Sequence, residues 1–289
     1  MNRKEHEEWR ETVLQIILTA LMESDELSDV LIFKGAWILN HHLETARHSR
    51  DIDSNLTRQF VFRHPDVDEQ RVYLEGAIRT AISRHFDGQP IVRYRLTDVR
   101  TVYEAHPMGW SSFSVKLTIQ DAEKSGVRGL PRLDIDIAAP EELSELSISN
   151  IALGSRLAQV YSLERIAGEK ARAYLSTLPT YRKKFKKPGN DIRVKDLYDL
   201  VRISRAHPLS AAFWNRAGEE FERACRSRMV DCDGWSSFAE NWSDVKTLFE
   251  TDATLPKDVS FRDVEDLLPR IVSIWESQGV IPKRYYLPN

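Results

Sequence analysis

An α+β fold followed by a helical half is what the 289-residue sequence predicts. In the first half we recognise segments that alternate apolar and polar residues, a pattern typical of half-buried strands. After Pro140, apolar residues recur every three or four positions, which is the spacing of an amphipathic helix. We therefore predict an α+β domain at 1–140 and a helical domain at 141–289.

The elements of the first half follow from the spacing of apolar residues. Trp9, Val13 and Ile17 share one face of a helix, and the apolar run from Val30 to Phe33 indicates a buried strand. The two alternating segments at 91–103 and 111–119 are expected to be antiparallel strands. The predicted elements are helices at 4–22, 36–42 and 67–86, and strands at 30–33, 50–56, 91–103, 111–119 and 132–138.

The second half is expected to consist of helices. They are predicted near 161–176, 191–205, 209–228, 239–249 and 262–278. The basic stretch at 181–190 ends in Pro-Gly-Asn, residues that favour turns, so we predict an exposed loop there.

Composition narrows the class of protein. The net charge is −3, from 41 Lys and Arg against 44 Asp and Glu, so the chain carries no global signature of DNA binding. The longest apolar run, at 13–22, is interrupted by Gln15 and Thr19 and is too short and polar to cross a membrane. Cys225 and Cys232 form neither a disulfide framework nor a CxxC site. We expect a cytoplasmic protein with free thiols and no secretory signal.

Asp51 and Asp53 are the first candidates for chemistry. Residues two apart on a strand point to the same face, so both carboxylates lie together while Ile52 points into the core. Two such charges repel each other unless a cation lies between them, and Mg²⁺ prefers oxygen ligands of this kind. Taken alone, the pair is better explained by an ordinary solvent-facing strand end, because Asp-x-Asp often occurs by chance.

A second acidic strand strengthens the hypothesis of a metal site. In the segment 132–137, Asp134 and Asp136 share one face, and the apolar residues between them share the other. If this strand lies beside the first, three or four carboxylates converge, and two metal ions held there can assist phosphoryl or nucleotidyl transfer. The alternative is an edge strand with one solvated face.

Three charged residues lie on or beside the apolar stripes of two predicted helices. Lys170 falls on the apolar stripe of the helix near 161–176, where an unpaired ammonium is costly to bury. Asp196 and Asp199 flank the stripe of the next helix, and we predict that Asp196 pairs with Lys170. The alternatives are a Lys170 side chain that extends to solvent and acids that only complement the helix dipole.

A glycine turn follows the first predicted strand. In Lys34-Gly35-Ala36 the glycine would let a phosphate approach backbone N–H groups at the start of a helix. The sequence matches neither a Walker A loop nor GxGxxG, so this turn alone indicates little.

Together these motifs resemble the AbiEii/AbiGii toxin family, which includes the MenT toxins. These proteins are nucleotidyltransferases of bacterial abortive-infection and type IV toxin–antitoxin systems. The most specific match is the last motif, which ends in Lys-Asp-x-x-Asp. The matching motifs lie, in order, at 33–36, 47–53, 132–134, 169–170 and 193–200.

The resemblance implies a polymerase-β-like nucleotidyltransferase core with a mixed or antiparallel sheet, followed by a helical domain. It implies transfer of a nucleoside monophosphate from an NTP to an acceptor, which in some members is the 3′ end of tRNA, with Mg²⁺ or Mn²⁺ as cofactor. A cognate antitoxin is an expected partner, and no membrane is.

The resemblance also assigns roles to individual residues. The implied catalytic residues, the first three of them metal ligands, are Asp51, Asp53, Asp134, Lys170 and Asp196. The implied substrate-binding residues are Lys34, Gly35, Arg47, Ser49 and Lys195. We also consider RNA binding by the basic stretch, with the residues Arg182, Lys183, Lys184, Lys186 and Lys187, although a solvated loop explains it equally well.

The sequence departs from the family pattern at four positions. Ala36 and Trp37 stand where the family usually has a second glycine and a small hydroxyl residue. Arg132 replaces a lysine, and Asp136 is an additional acid without an assigned role. Two alternatives to RNA modification therefore stay open: an enzyme that transfers a nucleotide or phosphate to a protein, and a degenerate module that only binds NTP.

Overall fold

The computed structural model describes most of the chain. The described residues are 2–43, 49, 51–106, 108, 110–124, 129–153, 156–186, 191–208 and 210–286. The chain divides into two compact units. The first comprises Met1–Ile38, His48–Glu141 and Ile148–Tyr161, and the second comprises Leu39–Arg47, Glu142–Ser147 and Ser162–Asn289.

The first unit contains all seven strands. Its elements, in chain order, are α1 (Arg3–Met22), α2 (Asp25–Ser28), β1 (Leu31–Lys34), α3 (Gly35–Leu43, which begins in this unit), β2 (Asp51–Leu56), α4 (Arg58–Arg63), α5 (Val67–Asp87), β3 (Tyr94–Glu104), β4 (Ser112–Asp121), β5 (Leu133–Ala138), β6 (Ile148–Leu153) and β7 (Arg156–Tyr161).

The seven strands form one mixed sheet in the order β3-β4-β5-β2-β1-β7-β6. The pairs β2–β5 and β1–β7 are parallel, and the other neighbours are antiparallel. The strand that carries Asp51 and Asp53 is therefore central, with the second acidic strand directly beside it.

One side of the sheet is covered by helices, and we call it the core face. Val99 and Thr101 of β3 are buried there against α5, where Thr101 N–H donates to Glu75 Oε2 at 2.9 Å. Helix α1 is joined to β4 by Trp9, whose Nε1 donates to Asp121 Oδ2 at 2.9 Å. Because side chains alternate along a strand, the residues between the buried ones lie on the other side, which we call the acidic face.

The second unit is helical. Its elements are α6 (Leu163–Leu175), α7 (Pro179–Lys184), α8 (Val194–Ala206), α9 (Ala211–Arg228), α10 (Trp235–Phe238), α11 (Trp242–Thr251) and α12 (Phe261–Ser277). Helices α6 and α9 approach closely at Gly168, where a Cβ atom would lie 2.4 Å from the Phe221 nitrogen. Trp214 and Trp275 fill the centre of this unit, and Trp275 Nε1 donates to the Trp214 carbonyl at 2.9 Å.

The predicted α+β fold with a following helical part is confirmed, and most predicted elements occur within a few residues of their expected bounds. The chain does not become helical directly after Pro140, because β6 and β7 complete the sheet first. Both cysteines are free, as expected, and both are buried. Within the described residues, no helix is both long and apolar enough to span a membrane.

The prediction of an exposed loop at 181–190 was wrong for its first part. Residues Pro179–Lys184 form α7, with the proline in the first turn, where its missing N–H costs nothing. Tyr181 is buried and its hydroxyl donates to the Arg228 carbonyl at 2.9 Å, so packing against α9 holds this helix in place.

Candidate active site

The acidic residues of β2 and β5 are register partners. Asp51 pairs with Asp134 and Asp53 pairs with Asp136 across the two parallel strands. Partners in adjacent strands point to the same side of a sheet, so all four carboxylates lie on the acidic face. The predicted convergence of the two acidic strands is therefore present.

Three of these carboxylates lie closest together. Ligand oxygens of Asp51, Asp53 and Asp136 are all within 4.8 Å of one another. Asp136, which the sequence left without a role, completes this group, and Asp134 does not belong to it. The alternation in 132–137 predicts that Asp134 and Asp136 share one face, but it does not predict which of them lies closer to Asp51 and Asp53. The side-chain positions show that it is Asp136. A metal-binding role for Asp134 stays a prediction.

The glycine turn holds Asp53 in position. Gly35 has a φ of +77°, a conformation that residues with a Cβ rarely adopt. A Cβ atom at this position would lie 2.1 Å from Asp53 Oδ2, so the carboxylate packs directly against the Gly35 backbone. The glycine is needed here for the approach of Asp53, and its predicted contact with a substrate phosphate stays a prediction.

Two side chains fix the start of β2. Ser49 Oγ lies 3.1 Å from the Asp51 carbonyl oxygen and 3.2 Å from Asp51 Oδ1. Trp37 Nε1 donates to the same carbonyl at 3.0 Å. The residue that departs from the family pattern thus supports the backbone of a candidate metal ligand. No feature of the sequence indicated this contact.

Lys34 lies on the other side of Asp53, as its partner in the β1–β2 ladder. Its Nζ atom is 4.0 Å from Glu141 Oε1 and 5.5 Å from the centre of the Tyr161 ring. The Tyr161 hydroxyl is 3.4 Å from Glu141 Oε2, and both Tyr161 and Glu141 are buried. A buried acid and a ring thus hold the Lys34 side chain beside the acidic group.

The three-carboxylate group has the donor set of a site for a hard divalent cation. Asp51 and Asp53 are half-buried and Asp136 is exposed on one side. Partial burial, followed by repulsion from Asp53 and Asp51, raises the pKa of Asp136 to about 6. A divalent cation bound here would relieve this repulsion, and three carboxylate oxygens fit the preference of Mg²⁺ or Mn²⁺.

In the second unit, Lys170 lies between two buried carboxylates. Its Nζ atom is 3.0 Å from Asp196 Oδ1 and 2.7 Å from Asp199 Oδ2. The predicted pair of Lys170 and Asp196 is present. Asp199 also binds Lys170, and its position three residues after Asp196, flanking the same apolar stripe, was the available signal for that contact.

Arg193 completes this ion cluster. Its Nε atom donates to Asp196 Oδ2 at 2.6 Å. Burial alone would raise the pKa of Asp196, but the charges of Lys170 and Arg193 hold that pKa well below its usual value. Lys195, the other residue expected here, is half-buried. Burial would raise the pKa of Asp252, but hydrogen bonds from Thr254, with a smaller contribution from the charge of Lys195, lower it.

The basic stretch divides into bound and exposed side chains. Lys184 Nζ lies 2.9 Å from Asp231 Oδ2 and also binds the Tyr285 carbonyl, so it ties the end of the chain to α7. Arg182 donates to the Thr177 carbonyl at 2.7 Å. Lys183 and Lys186 are exposed and line a cleft of about 690 Å³ in the second unit. Of the four described residues considered for RNA binding, these two are the exposed ones, and the half-buried Arg182 lines the same cleft. Lys187, like Arg47, lies outside the described residues.

Comparison with known proteins gives the family. A profile described as "Nucleotidyl transferase AbiEii toxin, Type IV TA system" matches residues 16–270. The chain belongs to this AbiEii family. Its membership makes it a nucleotidyltransferase toxin of a toxin–antitoxin system, as the sequence motifs implied. None of the curated proteins matches the chain.

Solved structures similar to this one share its fold. JHP933 from Helicobacter pylori has a TM-score of 0.52 and 14% identity, and the match covers 95% of this chain and 94% of that chain. A protein of H. pylori described as a nucleotidyltransferase also has a TM-score of 0.52 and 14% identity, over 96% of this chain and 98% of that chain. At such low identity the likeness shows the fold alone, and it agrees with the nucleotidyltransferase fold of the AbiEii family.

Proposed function

We propose that this AbiEii protein transfers a nucleoside monophosphate from an NTP to the 3′-terminal hydroxyl of tRNA and releases pyrophosphate, with Mg²⁺ or Mn²⁺ as cofactor. The observation that carries the proposal is the group of three carboxylates within 4.8 Å on adjacent parallel strands. A structural role explains this group poorly, because crowded like charges are unfavourable without a cation. Modification of tRNA would inhibit translation and growth, as expected of a toxin.

The proposed roles follow from the positions of the acids. Asp51, Asp53 and Asp136 hold a cation, and Asp134, the register partner of Asp51, holds a second one or takes the proton of the acceptor hydroxyl. The bound cations would supply charge neutralisation at the phosphates of the NTP. Ser49 keeps Asp51 oriented through its hydroxyl.

Cations of the chain itself would stabilise the triphosphate. Lys34 is the register partner of Asp53 and its ammonium lies 4.0 Å from Glu141, which supports a role in binding a phosphate beside the three-carboxylate group. For Lys170, Asp196 and Lys195, a part in the same reaction is what the family motifs predict. The ion cluster supports it by fixing the Lys170 ammonium in one place.

A transfer assay tests the proposal. The purified protein is incubated with Mg²⁺, each α-labelled NTP in turn and total bacterial RNA, next to the Asp51→Asn variant. Asp87→Asn, at the exposed end of α5, is the matched control. We expect label in a band of tRNA size with the native protein and the control, and none with Asp51→Asn.

Other results would point to the alternatives. Label on protein instead of RNA would identify an enzyme that modifies proteins. Bound NTP without label anywhere would identify a module that only binds nucleotide. The second alternative has one observation in its favour, because the Trp37 indole is engaged with the Asp51 carbonyl where the family usually has a hydroxyl.

A further inference from the structure

The acidic face continues from the acids onto two basic residues. In the β4–β5 ladder Asp134 pairs with Lys116, and in the β3–β4 ladder Lys116 pairs with Arg100. Register partners share a face, so Arg100, Lys116, Asp134 and Asp51 form one row across four strands. Strands are about 4.8 Å apart, and the row therefore spans roughly 14 Å, with two cations followed by two acids.

These two cations are not used to hold the fold. Both Lys116 and Arg100 are exposed. Within the described part of the chain, neither forms a salt bridge, although Lys116 is the register partner of Asp134. Nearby arginines behave differently, since Arg93 binds Asp121 at 2.9 Å and Arg79 donates to the Val99 carbonyl at 3.2 Å. Lys116 and Arg100 are therefore available to a ligand.

Their position also separates them from Lys34. Lys34 lies on the β1 side of the acids, next to the glycine turn, while Lys116 and Arg100 lie on the β4 and β3 side. A transferase that joins two phosphate-bearing substrates has to bind an anion on each side of the reacting atoms. If Lys34 faces the NTP, the side of the acids toward β4 and β3 is left for the acceptor.

We propose that Lys116 and Arg100 bind the phosphate backbone of an RNA acceptor, just upstream of the 3′-terminal nucleotide. This inference rests on the proposed function and names the side from which its acceptor enters. Lys116, one strand from Asp134, takes the phosphate nearest the acids, and the planar Arg100 guanidinium takes the next one. The terminal hydroxyl is thereby directed toward Asp134 and Asp51.

The test measures RNA binding apart from transfer. A short fluorescent single-stranded RNA with a free 3′-OH is titrated with the protein at several salt concentrations, without NTP. The variants are Lys116→Gln, Arg100→Gln and the double variant, since neutral glutamine adds no charge to the acidic group. Arg84→Gln is the control, because Arg84 is exposed on α5, which covers the core face.

The expected result is specific to a phosphate contact. Each lost contact to a single strand lowers the slope of log K against log salt by about 0.7, so the double variant should lose roughly 1.4. We expect its Kd for RNA to rise about tenfold near physiological salt, with binding of Mg²⁺·NTP unchanged and Arg84→Gln equal to the native protein.

Equal RNA affinity in the native protein and the double variant would overturn the inference, as would a native protein that binds no RNA. A third outcome would also overturn the inference: the native protein transfers a nucleotide to a protein, and Lys116→Gln abolishes this labelling. Lys116 would then bind an acidic protein surface and not RNA. Failure of the proposed function has a different signature: the native protein binds RNA through Lys116 and Arg100 yet transfers no label.

Discussion

Aspartates form two clusters in this protein, and the two are built in opposite ways. In the first unit, Asp51, Asp53 and Asp136 face one another, and the pKa of Asp136 is raised to about 6. In the second unit, Asp196 and Asp199 each lie within 3.0 Å of the Lys170 ammonium, and the pKa of Asp196 is lowered. The first cluster suits a cation from solution, and the second already contains its own.

The largest effect expected from this comparison is on transfer. Asp53→Asn removes one of the three clustered carboxylates, and we expect the transfer rate to fall by about 10³, because a bound metal supplies several kcal/mol of charge stabilisation. The melting temperature should stay the same or rise, since repulsion is relieved. Asp87→Asn is the control for both measurements. A clear loss of stability in Asp53→Asn would mean that the cluster is structural.

In the second cluster the largest effect should be on stability. Asp196→Asn takes one of two carboxylates from the buried Lys170 ammonium and also removes the partner of the exposed Arg193, and we expect a loss of about 3 kcal/mol in the free energy of unfolding. Urea denaturation of the native protein and the variant measures it. An unfolding midpoint equal to that of the native protein would remove the distinction between the two clusters.

A smaller effect is expected at the glycine turn. Gly35→Ala places a Cβ against Asp53 and strains a φ of +77°, so we expect a loss of about 2 kcal/mol in stability and of roughly 100-fold in transfer. Gly76→Ala is the matched control. Its Cβ would meet no atom within 4 Å, and alanine at that exposed position of α5 should stabilise the protein by about 0.5–1 kcal/mol. Equal transfer in both variants would show that Asp53 can shift without cost.

The smallest effect concerns the start of β2. Trp37→Phe keeps a ring but loses the N–H that donates to the Asp51 carbonyl, and the expected loss is about 1 kcal/mol in stability. Transfer should fall less than in Gly35→Ala, because Ser49 still contacts the same carbonyl. If transfer falls further in Trp37→Phe than in Gly35→Ala, Trp37 contributes more to the position of Asp51 than one hydrogen bond explains.

The sequence predicts which residues share a face where this follows from the repeat of a single helix or strand. The spacing of Asp51 and Asp53 on a strand, and of Lys170 and Asp196 on apolar stripes, depends only on helix and strand geometry. The hairpin of β6 and β7 was missed because its pattern is misleading, since Leu157 is exposed while Ala158 is buried. The place of Asp136 beside Asp53 could not be predicted, because it depends on the pairing of strands about 80 residues apart in the chain.

The pairing of β2 with β5 links folding to toxicity. Side chains alternate along a strand, so a slip of β5 by one residue would turn Asp134 and Asp136 toward the core and Ile135 toward solvent. The same error would remove Asp136 from the three-carboxylate group and bury two carboxylates at once. The transfer proposed here therefore requires a sheet that has closed in the correct register, and a chain with the slipped strand would lack the carboxylate group on which it depends.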